Sequence, residues 1–313
     1  MKVVNFEHLS MKNLSEVELD FSVLQWVDIN RPVDKFIQQT EQTFHSRHKI
    51  DLGNNSHPPS FEQTQDYEIL IFQNIDSRFE VIHPKTRSIA FLIIGNTITS
   101  IHDEGDNVFT GLFEKWENKY IKKPSDVISL LHILLDEIGN SFLAIREPLV
   151  NQVSEWQTRL LDPNDPYNDW QVIMKAKSSL RALNTNLELQ REALLRWREN
   201  TRYEFTPSNS IRFNDLDSHL ARIERLASGI SSDLDSLTQI YFASTGQRTN
   251  STMQILAVLS AIFLPLNLIA GIFGMNFEFI PLLKNPWGAA IAIGLMLIIS
   301  VALLWWFKKK KWF

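Results

Sequence analysis

The longest apolar stretches of the chain lie near its C-terminal end. From Ile255 to Gly274 there is no charged residue, and the only clearly polar side chains are Ser260 and Asn267. A helix needs about twenty apolar residues to cross roughly 30 Å of hydrocarbon. A second apolar run, 286–307, follows after a short loop. The pattern therefore predicts a membrane hairpin of two helices.

Residues 1–122 have the mixed pattern of an α/β domain. Short runs rich in β-branched and aromatic residues alternate with Asn, Asp, Gly and Pro, which is typical of strands separated by turns. Composition indicates a loop at 51–66, and apolar spacing predicts helices at 32–48 and 107–120. The runs predict strands at 17–22, 23–29, 67–74, 79–84 and 88–95.

From Pro124 onward apolar residues recur every three or four positions, which predicts helices. Ser125 is the expected N-cap of the first helix, and the second is expected from about Trp170 to Glu199. Together they form a predicted helical hairpin over 123–211. The next helix is expected to continue into the first membrane helix, so that 212–275 form one long element.

This long element begins with a heptad seam between Arg212 and Gly246, where no helix breaker occurs. Apolar residues alternate at steps of four and three, which predicts lengthwise packing against partner helices. An ordinary bundle within one chain is the alternative. The seam consists of Leu216, Leu220, Ile223, Ala227, Ile230, Leu234, Leu237 and Tyr241.

At the same spacing, the first membrane helix separates into two faces. One is nearly all large and apolar, and the other is mostly small or polar. Polar groups are costly in hydrocarbon and usually face a bundle interior or a water path. Close helix contact through small residues is the alternative. The second face, here called the membrane stripe, consists of Asn250, Met253, Ala257, Ser260, Leu264, Asn267, Gly271 and Gly274.

The same register continues backwards along the preceding helix, which favours a water path. One hairpin cannot enclose a pore, so several copies would line it, and each stripe residue would then form a symmetric ring. This continuation, here called the stalk stripe, consists of Asp215, Ser218, Arg222, Arg225, Gly229, Ser232, Ser236, Gln239, Ala243 and Gly246.

In such a ring the stripe residues have distinct expected roles. Met253 and Leu264 would form apolar constrictions able to gate by dewetting. Asn250, Asn267 and Asn276 would offer amide oxygens to a hydrated cation. Because Mg²⁺ prefers oxygen ligands and gives up its water reluctantly, neutral amides suit its hydrated form.

Charged residues beside the apolar runs predict the orientation. Arg248 precedes the first membrane helix, and a basic tail, 308–313, follows the second at 287–307. The positive-inside rule then places both termini in the cytoplasm and the loop 276–286 outside. The first membrane crossing is expected at about 253–274. The N-terminal segment lacks a basic region followed by an apolar core, which disfavours a signal peptide.

Composition narrows the function classes. The absence of cysteine excludes disulfides and thiolate metal sites, and the net charge of -5 disfavours nucleic acid as a partner. The chain has no GxxxxGK[ST], HExxH or GxSxG motif, so enzymatic activity and an organic cofactor are not expected. A membrane-anchored scaffold without transport is the alternative from another class, although an anchor needs no polar stripe.

The run IFLPLNLIAGIFGMN ends in Gly274-Met275-Asn276 and precedes a short loop, a last apolar helix and a basic tail. In this setting it resembles the CorA family of divalent-cation transporters. The resemblance covers 240–313 well and the remainder in general character. It implies an α+β cytoplasmic domain, long funnel helices and two C-terminal transmembrane helices, assembled as a homopentameric Mg²⁺ channel in the inner membrane.

The resemblance also implies roles for individual residues. Gly274, Met275 and Asn276 would form the selectivity filter at the outer mouth. Asp215 would bind a regulatory Mg²⁺ between neighbouring subunits, so that intracellular Mg²⁺ closes the channel. The family's pore-lining positions correspond to Asn250, Met253, Leu256, Leu264, Asn267 and Gly271.

Three features depart from the usual family pattern. Asn267 stands where members often have Thr. The external loop has Glu278, but Leu282 stands where many magnesium transporters have a second acid. The N-terminal acid that pairs with Asp215 has no clear counterpart. A solvated acidic turn is the favoured interpretation of the one candidate cluster, Asp103, Glu104 and Asp106.

One branch of the family transports Zn²⁺, so Zn²⁺ transport, with or without protons, or broad divalent transport is the alternative function. A solvated helix surface is favoured for His45 and His48, which are three residues apart. For His219, one turn after Asp215, a packing or interface role is favoured over a metal contact. Seven of the eight histidines, which are scattered, were considered as ligands and do not decide between the ions: His45, His48, His57, His83, His102, His132 and His219.

Overall fold

The computed structural model describes residues 1–40, 43–76, 83–162, 170–275 and 286–310. By their internal contacts the residues divide into two units, Met1–Thr238 and Gln239–Phe313. The helices are α1 (Asp34–Gln39), α2 (Ser46–Gly53), α3 (Leu112–Glu117), α4 (Val127–Ala144), α5 (Arg146–Leu161), α6 (Trp170–Asn200), α7 (Pro207–Phe273) and α8 (Gly288–Lys309).

A mixed sheet forms the centre of the first unit. Its strands are β1 (Lys2–Asn5), β2 (Ser10–Asn13), β3 (Gln25–Asn30), β4 (Ser60–Gln63), β5 (Glu68–Ile75), β6 (Thr86–Ile94) and β7 (Thr97–His102). Their order is β2-β1-β3-β7-β6-β5-β4. Neighbouring strands are antiparallel except for β3 and β7, which are parallel and pair Asp28 with Ser100 and Asn30 with His102.

The sheet is buried on both faces at its centre. Every residue of β5 except Ile75 is buried, which explains why its run from Ile69 to Phe72 is apolar without alternation. One face packs on Phe36 of α1 and Leu52 of α2. Because α4 and α6 also contact β5, they cover its other face.

Several strand predictions are wrong. The strand predicted at 17–22 is absent, because Asp20 Oδ1 accepts hydrogen bonds from the backbone N–H of Ser22 at 2.9 Å and from its hydroxyl at 2.6 Å. Such a turn competes with strand pairing. β4 lies inside the predicted loop, and β1, β2 and β7 were not predicted. Most of the strand expected at 79–84 lies outside the described residues.

Helix boundaries also differ from the prediction. Asp126, and not Ser125, is the N-cap of α4. Its Oδ1 accepts from the backbone N–H of Ser129 at 2.7 Å, and Ser129 Oγ accepts from the N–H of Asp126 at 3.1 Å, which is a capping box. The helix ends at Ala144 because the ring of Pro148 conflicts with the carbonyl four residues earlier. The region expected as one helix at 32–48 holds α1 and α2, and α3 is the helical part of 107–120.

The heptad seam of α7 is buried by other helices of the same chain. The predicted packing against partner helices is therefore wrong, and the alternative, a bundle within one chain, is confirmed. A narrow cavity is lined jointly by Phe142 of α4, Leu149 of α5, Leu183 of α6 and Ile223 of α7, which shows that these helices pack together. α7 begins at Pro207, earlier than predicted, since proline suits the first helical position. The buried seam residues are Leu216, Leu220, Ile223, Ala227, Ile230, Leu234 and Leu237.

Three helical stretches in the described part of the chain are long and apolar enough to cross a membrane, namely Val127–Leu160, α7 and α8. The apolar window of the first is 50% buried, against 6% and 11% for the other two. α4 contacts β5 and β7. The apolar residues of the first stretch therefore belong to the core beneath the sheet.

Candidate ion pathway

The membrane stripe lies on the exposed side of α7. All eight of its residues are exposed, with Leu264 76% and Met253 62% accessible. Val258, by contrast, is 2% accessible. At 3.6 residues per turn the stripe and Val258 lie on roughly opposite sides of the helix. The side that carries Val258 also carries the half-buried residues Ile262, Pro265, Leu266, Ile269 and Phe273.

The second unit holds the end of α7 and, among its other described residues, α8. Val258 is the buried residue of this part of α7, and the buried residues of α8 are Gly288, Ala292 and Phe307. The buried and half-buried residues thus share one side of α7. The membrane stripe is exposed, and so are large apolar residues on the remaining surface: Ile255, Leu256, Leu259, Phe263, Leu268 and Ile272.

Polar groups on the membrane stripe are free for a ligand. Neither Asn250 nor Asn267 makes a side-chain hydrogen bond within the described parts of the chain, and both are exposed. The Ser260 hydroxyl donates to the Leu256 carbonyl at 2.9 Å, so its oxygen lone pairs still point away from the helix. Leu256 is 57% accessible at the edge of the stripe.

The end of α7 carries the first two residues of the predicted filter. Gly274 donates its N–H to the Ala270 carbonyl at 2.9 Å, and Met275 donates to Ile272 at 3.3 Å. A Cβ at Gly274 would come within 3.1 Å of that Ala270 oxygen, so glycine fits this closing turn better than any larger residue. Asn276 and Glu278 lie outside the described residues.

The stalk stripe is also exposed along its whole length. Asp215 is among its exposed residues and has no ion-pair partner among the residues described. Within these ranges no group of three or more His, Cys, Asp or Glu side chains could hold a metal. A regulatory site at Asp215 would therefore need ligands from elsewhere, and it stays a prediction.

The acidic cluster after β7 is built differently from the solvated turn that was favoured. Asp103 is paired with Arg31 at 3.2 Å and with Arg87, and it accepts from Asn55 at 2.8 Å. Burial opposes its charge, but these hydrogen bonds outweigh burial and lower the pKa of Asp103. Only Glu104 is exposed within the cluster. The expectation is thus wrong for Asp103, which serves as an ion-pair centre.

Two histidine expectations have different outcomes. His45 is the exposed residue before α2, and its ring packs edge to face against that of His48 with centroids 5.4 Å apart. His48 is not solvated, since Nε2 lies 2.6 Å from Glu62 and Nδ1 lies 2.8 Å from the Tyr67 hydroxyl. His219 packs against α4, with Nδ1 3.5 Å from Asp136 Oδ1, which agrees with a packing role.

Sequence reasoning missed a polar chain across β3 and β7. The Trp26 indole donates to Ser100 Oγ at 2.9 Å, and Ser100 donates to Asp28 Oδ1 at 2.6 Å. The same oxygen lies 3.0 Å from His102 Nε2. The sequence did contain a signal for this chain. Ser100 and His102 are polar residues two positions apart in a strand-forming run, and this spacing places both on one face of a sheet.

Known proteins resemble the chain over nearly its whole length. The CorA-like Mg²⁺ transporter family model matches residues 21–309. The cobalt/magnesium transport protein CorA of Thermotoga maritima is 23% identical over 94% of this chain and 84% of its own length. The putative metal ion transporter YfjQ of Bacillus subtilis is 24% identical over 99% of this chain and 97% of its own length.

Solved structures share the fold. The complete structure of the CorA magnesium transporter of Methanocaldococcus jannaschii superposes with a TM-score of 0.83 at 22% identity, covering 100% of this chain and 98% of the other. The match extends through the sheet unit and both C-terminal helices. The chain therefore belongs to the CorA-like Mg²⁺ transporter family, a family of membrane transporters for divalent cations.

Proposed function

We propose that the chain forms a homopentameric channel that carries Mg²⁺ into the cell across the inner membrane. The observation that carries the proposal is the exposure of the membrane stripe. All eight residues of the membrane stripe are exposed, whereas Val258 on the opposite side of α7 is buried. In a ring of copies the uncovered side would face the axis and line a path for ions.

The path has a chemistry suited to a hydrated cation. Leu264 and Met253 would form rings that close by dewetting. Asn250 and Asn267 would hydrogen-bond the water shell that Mg²⁺ retains. No energy-coupling motif is needed, because an inward divalent cation gains about 4.6 kcal/mol per 100 mV, at about 2.3 kcal/mol per charge.

Asn276, with Gly274 and Met275, is proposed to receive the ion at the outer mouth, and Glu278 to attract cations nearby. Two crossings are proposed, one by the apolar end of α7 and one by α8, with both termini in the cytoplasm. Supporting this, Lys308 and Lys309 end α8 beside Trp305 and Trp306. Basic residues favour the cytoplasmic side, and tryptophan favours the membrane–water interface on either side.

Flux into liposomes tests the pore. Purified full-length protein should carry Mg²⁺, and Asn276→Ala should reduce that flux strongly. Asn118→Ala, the control, changes an amide in the sheet unit outside both stripes and should leave the flux unchanged. If the protein carries neither Mg²⁺ nor Zn²⁺ and Asn276→Ala is without effect, a scaffold role replaces transport. The alternative substrate is a broader set of divalent ions, because the Thermotoga relative is named for cobalt as well as magnesium.

Regulation by intracellular Mg²⁺ is proposed to act through Asp215. A divalent ion bridging this exposed carboxylate to a neighbouring copy would stabilise a closed ring, and its loss would release the subunits. Asp215→Lys should then abolish inhibition of flux by internal Mg²⁺. Glu199→Lys, which alters an exposed acid on α6, is the matched control. Normal inhibition in Asp215→Lys would place the regulatory site elsewhere.

A further inference from the structure

A cleft lies on the sheet unit, and no residue of either stripe lines it. Its floor is the face of β1, β3 and β7 that α3 covers incompletely, and its volume is about 210 Å³. That is about seven times the ~30 Å³ that one water occupies in the liquid, which is room for a small organic molecule. The lining includes Trp26, Asp28, His102, Asp106, Phe109 and Glu114.

His102 lies between two acceptors at one end of this cleft, an arrangement that favours its charged form. Its Nε2 faces Asp28 Oδ1 and its Nδ1 faces the Asp103 carbonyl oxygen, each at 3.0 Å. Both partners are acceptors, so both ring nitrogens donate, as in an imidazolium. Burial opposes this charge, but the bond and charge of Asp28 outweigh burial and raise the pKa of His102.

The carboxylates of the cleft retain free oxygens. Asp106 accepts from Asn74 at 2.9 Å and from the Val108 N–H at 3.3 Å, and both bonds go to Oδ1. Asp28 uses Oδ1 for both of its bonds. Within the described residues Oδ2 of each has no hydrogen-bond partner. Burial raises the pKa of Asp106, so a cation beside it would relieve an unfavourable buried charge.

Aromatic rings complete the cleft. Trp26 and Phe109 pack edge to face with centroids 5.5 Å apart and are nearly fully buried, and Phe113 also lines the space. Aromatic faces attract ammonium groups, and apolar walls favour the carbon chain attached to them. A bare metal ion fits less well, because no three His, Cys, Asp or Glu ligands converge among the described residues.

We propose that this cleft binds a small organic ammonium ion, with its charged group between Asp28 and Asp106 and its carbon chain against Trp26 and Phe109. The charges favour a cation over an anion. Three carboxylates, including that of Glu114, face two cationic groups, those of Lys2 and His102. The proposal is independent of ion transport, since every residue it uses lies in the sheet unit.

Binding of putrescine to the purified full-length protein tests this site, measured by calorimetry with 1,4-butanediol as the uncharged analogue. Putrescine should bind saturably and the diol should not. Asp106→Asn keeps an acceptor for Asn74 and should weaken binding about tenfold to a hundredfold, the usual effect of losing a charged hydrogen bond. Glu104→Gln, an exposed acid on the same loop outside the cleft, is the matched control and should bind as the unmodified protein does.

Glu114→Gln provides a second variant, since this exposed side chain makes no hydrogen bond in the described structure and its loss leaves the fold intact. It should weaken binding in the same direction as Asp106→Asn. The proposal is overturned if putrescine does not bind saturably, if butanediol binds equally well, or if both cleft variants bind as Glu104→Gln does. Equal, Asp106-dependent binding of Mg²⁺ would also overturn it, because the site would then select charge alone.

Discussion

Replacing Glu68 by glutamine should destabilise the sheet unit, because this fully buried carboxylate joins β5 to the segment between α6 and α7. Oε2 accepts from the Trp197 indole and the Thr201 hydroxyl, each at 2.9 Å. Oε1 accepts from the backbone N–H of Arg202 at 2.9 Å and from Gln63 Nε2 at 3.1 Å. Arg202 Nε also donates to Oε1 at 3.4 Å and pairs with its charge, so one side chain accepts from five donors.

The expected magnitude follows from counting donors. Glu68→Gln keeps the shape but replaces one accepting oxygen with an NH₂ group, which cannot accept. Whichever oxygen is replaced, an N–H loses its acceptor, either the buried one of Trp197 or the partly buried backbone one of Arg202. An unsatisfied buried donor costs about 1–3 kcal/mol, and the remaining bonds lose the added strength of a charged acceptor. Together these terms predict a loss of about 2–4 kcal/mol.

Thermal unfolding of the full-length protein measures this loss. For a unit of this size, Met1–Thr238, each kcal/mol corresponds to about 2–4 °C, so Tm should fall by about 4–16 °C. Glu199→Gln removes an exposed charge on the same helix as Trp197 and should leave Tm nearly unchanged. Tm values for Glu68→Gln and Glu199→Gln that agree within about 2 °C would refute the reasoning.

Three further variants test other parts of the structure. His102→Gln removes a histidine whose pKa is raised in the folded protein. The protonated histidine stabilises the fold fully below its ordinary pKa of 6.5 and progressively less as pH rises through the raised pKa. The Tm deficit of the variant should therefore shrink toward alkaline pH, and a constant deficit would contradict the charged pair with Asp28. Leu220→Ala in the buried seam should cost about 2–5 kcal/mol in denaturant unfolding, against less than about 0.5 kcal/mol for exposed Ser218→Ala. Leu264→Ser should raise basal Mg²⁺ flux in liposomes if Leu264 forms the constriction, and unchanged flux would place it elsewhere.

The two apolar C-terminal helices and the long helix before them could be predicted from the sequence because their signals are local. Hydropathy marks the apolar end of α7 and α8, and the three-four spacing of Leu216, Leu220 and Ile223 marks one face of a helix wherever that face packs. The same periodicity separated the membrane stripe from its apolar opposite face, and the structure leaves that stripe exposed.

The sheet and its polar contacts were predicted poorly because they depend on partners far away in the chain. Asp103 is held by Arg31, 72 residues earlier, and no local pattern distinguishes that arrangement from a solvated turn. β7 is a short run whose pairing with β3 is parallel and non-local. The turn at Asp20 replaces a strand through one side-chain acceptor, an effect that strand propensity does not include.

The structure changes which part of α7 supports an assembly of several chains. The heptad seam suggested partner helices, but Leu220 and Leu234 are fully buried by helices of the same chain, so the seam provides no surface for another copy. What remains exposed on α7 is the two stripes, which are mostly polar or small, together with large apolar residues such as Phe263 and Leu268. The stripes offer little apolar area for tight contact, but they suit the wall of a water-filled path. In a ring of copies the stripes would therefore face the axis, and the seam would stay inside each chain.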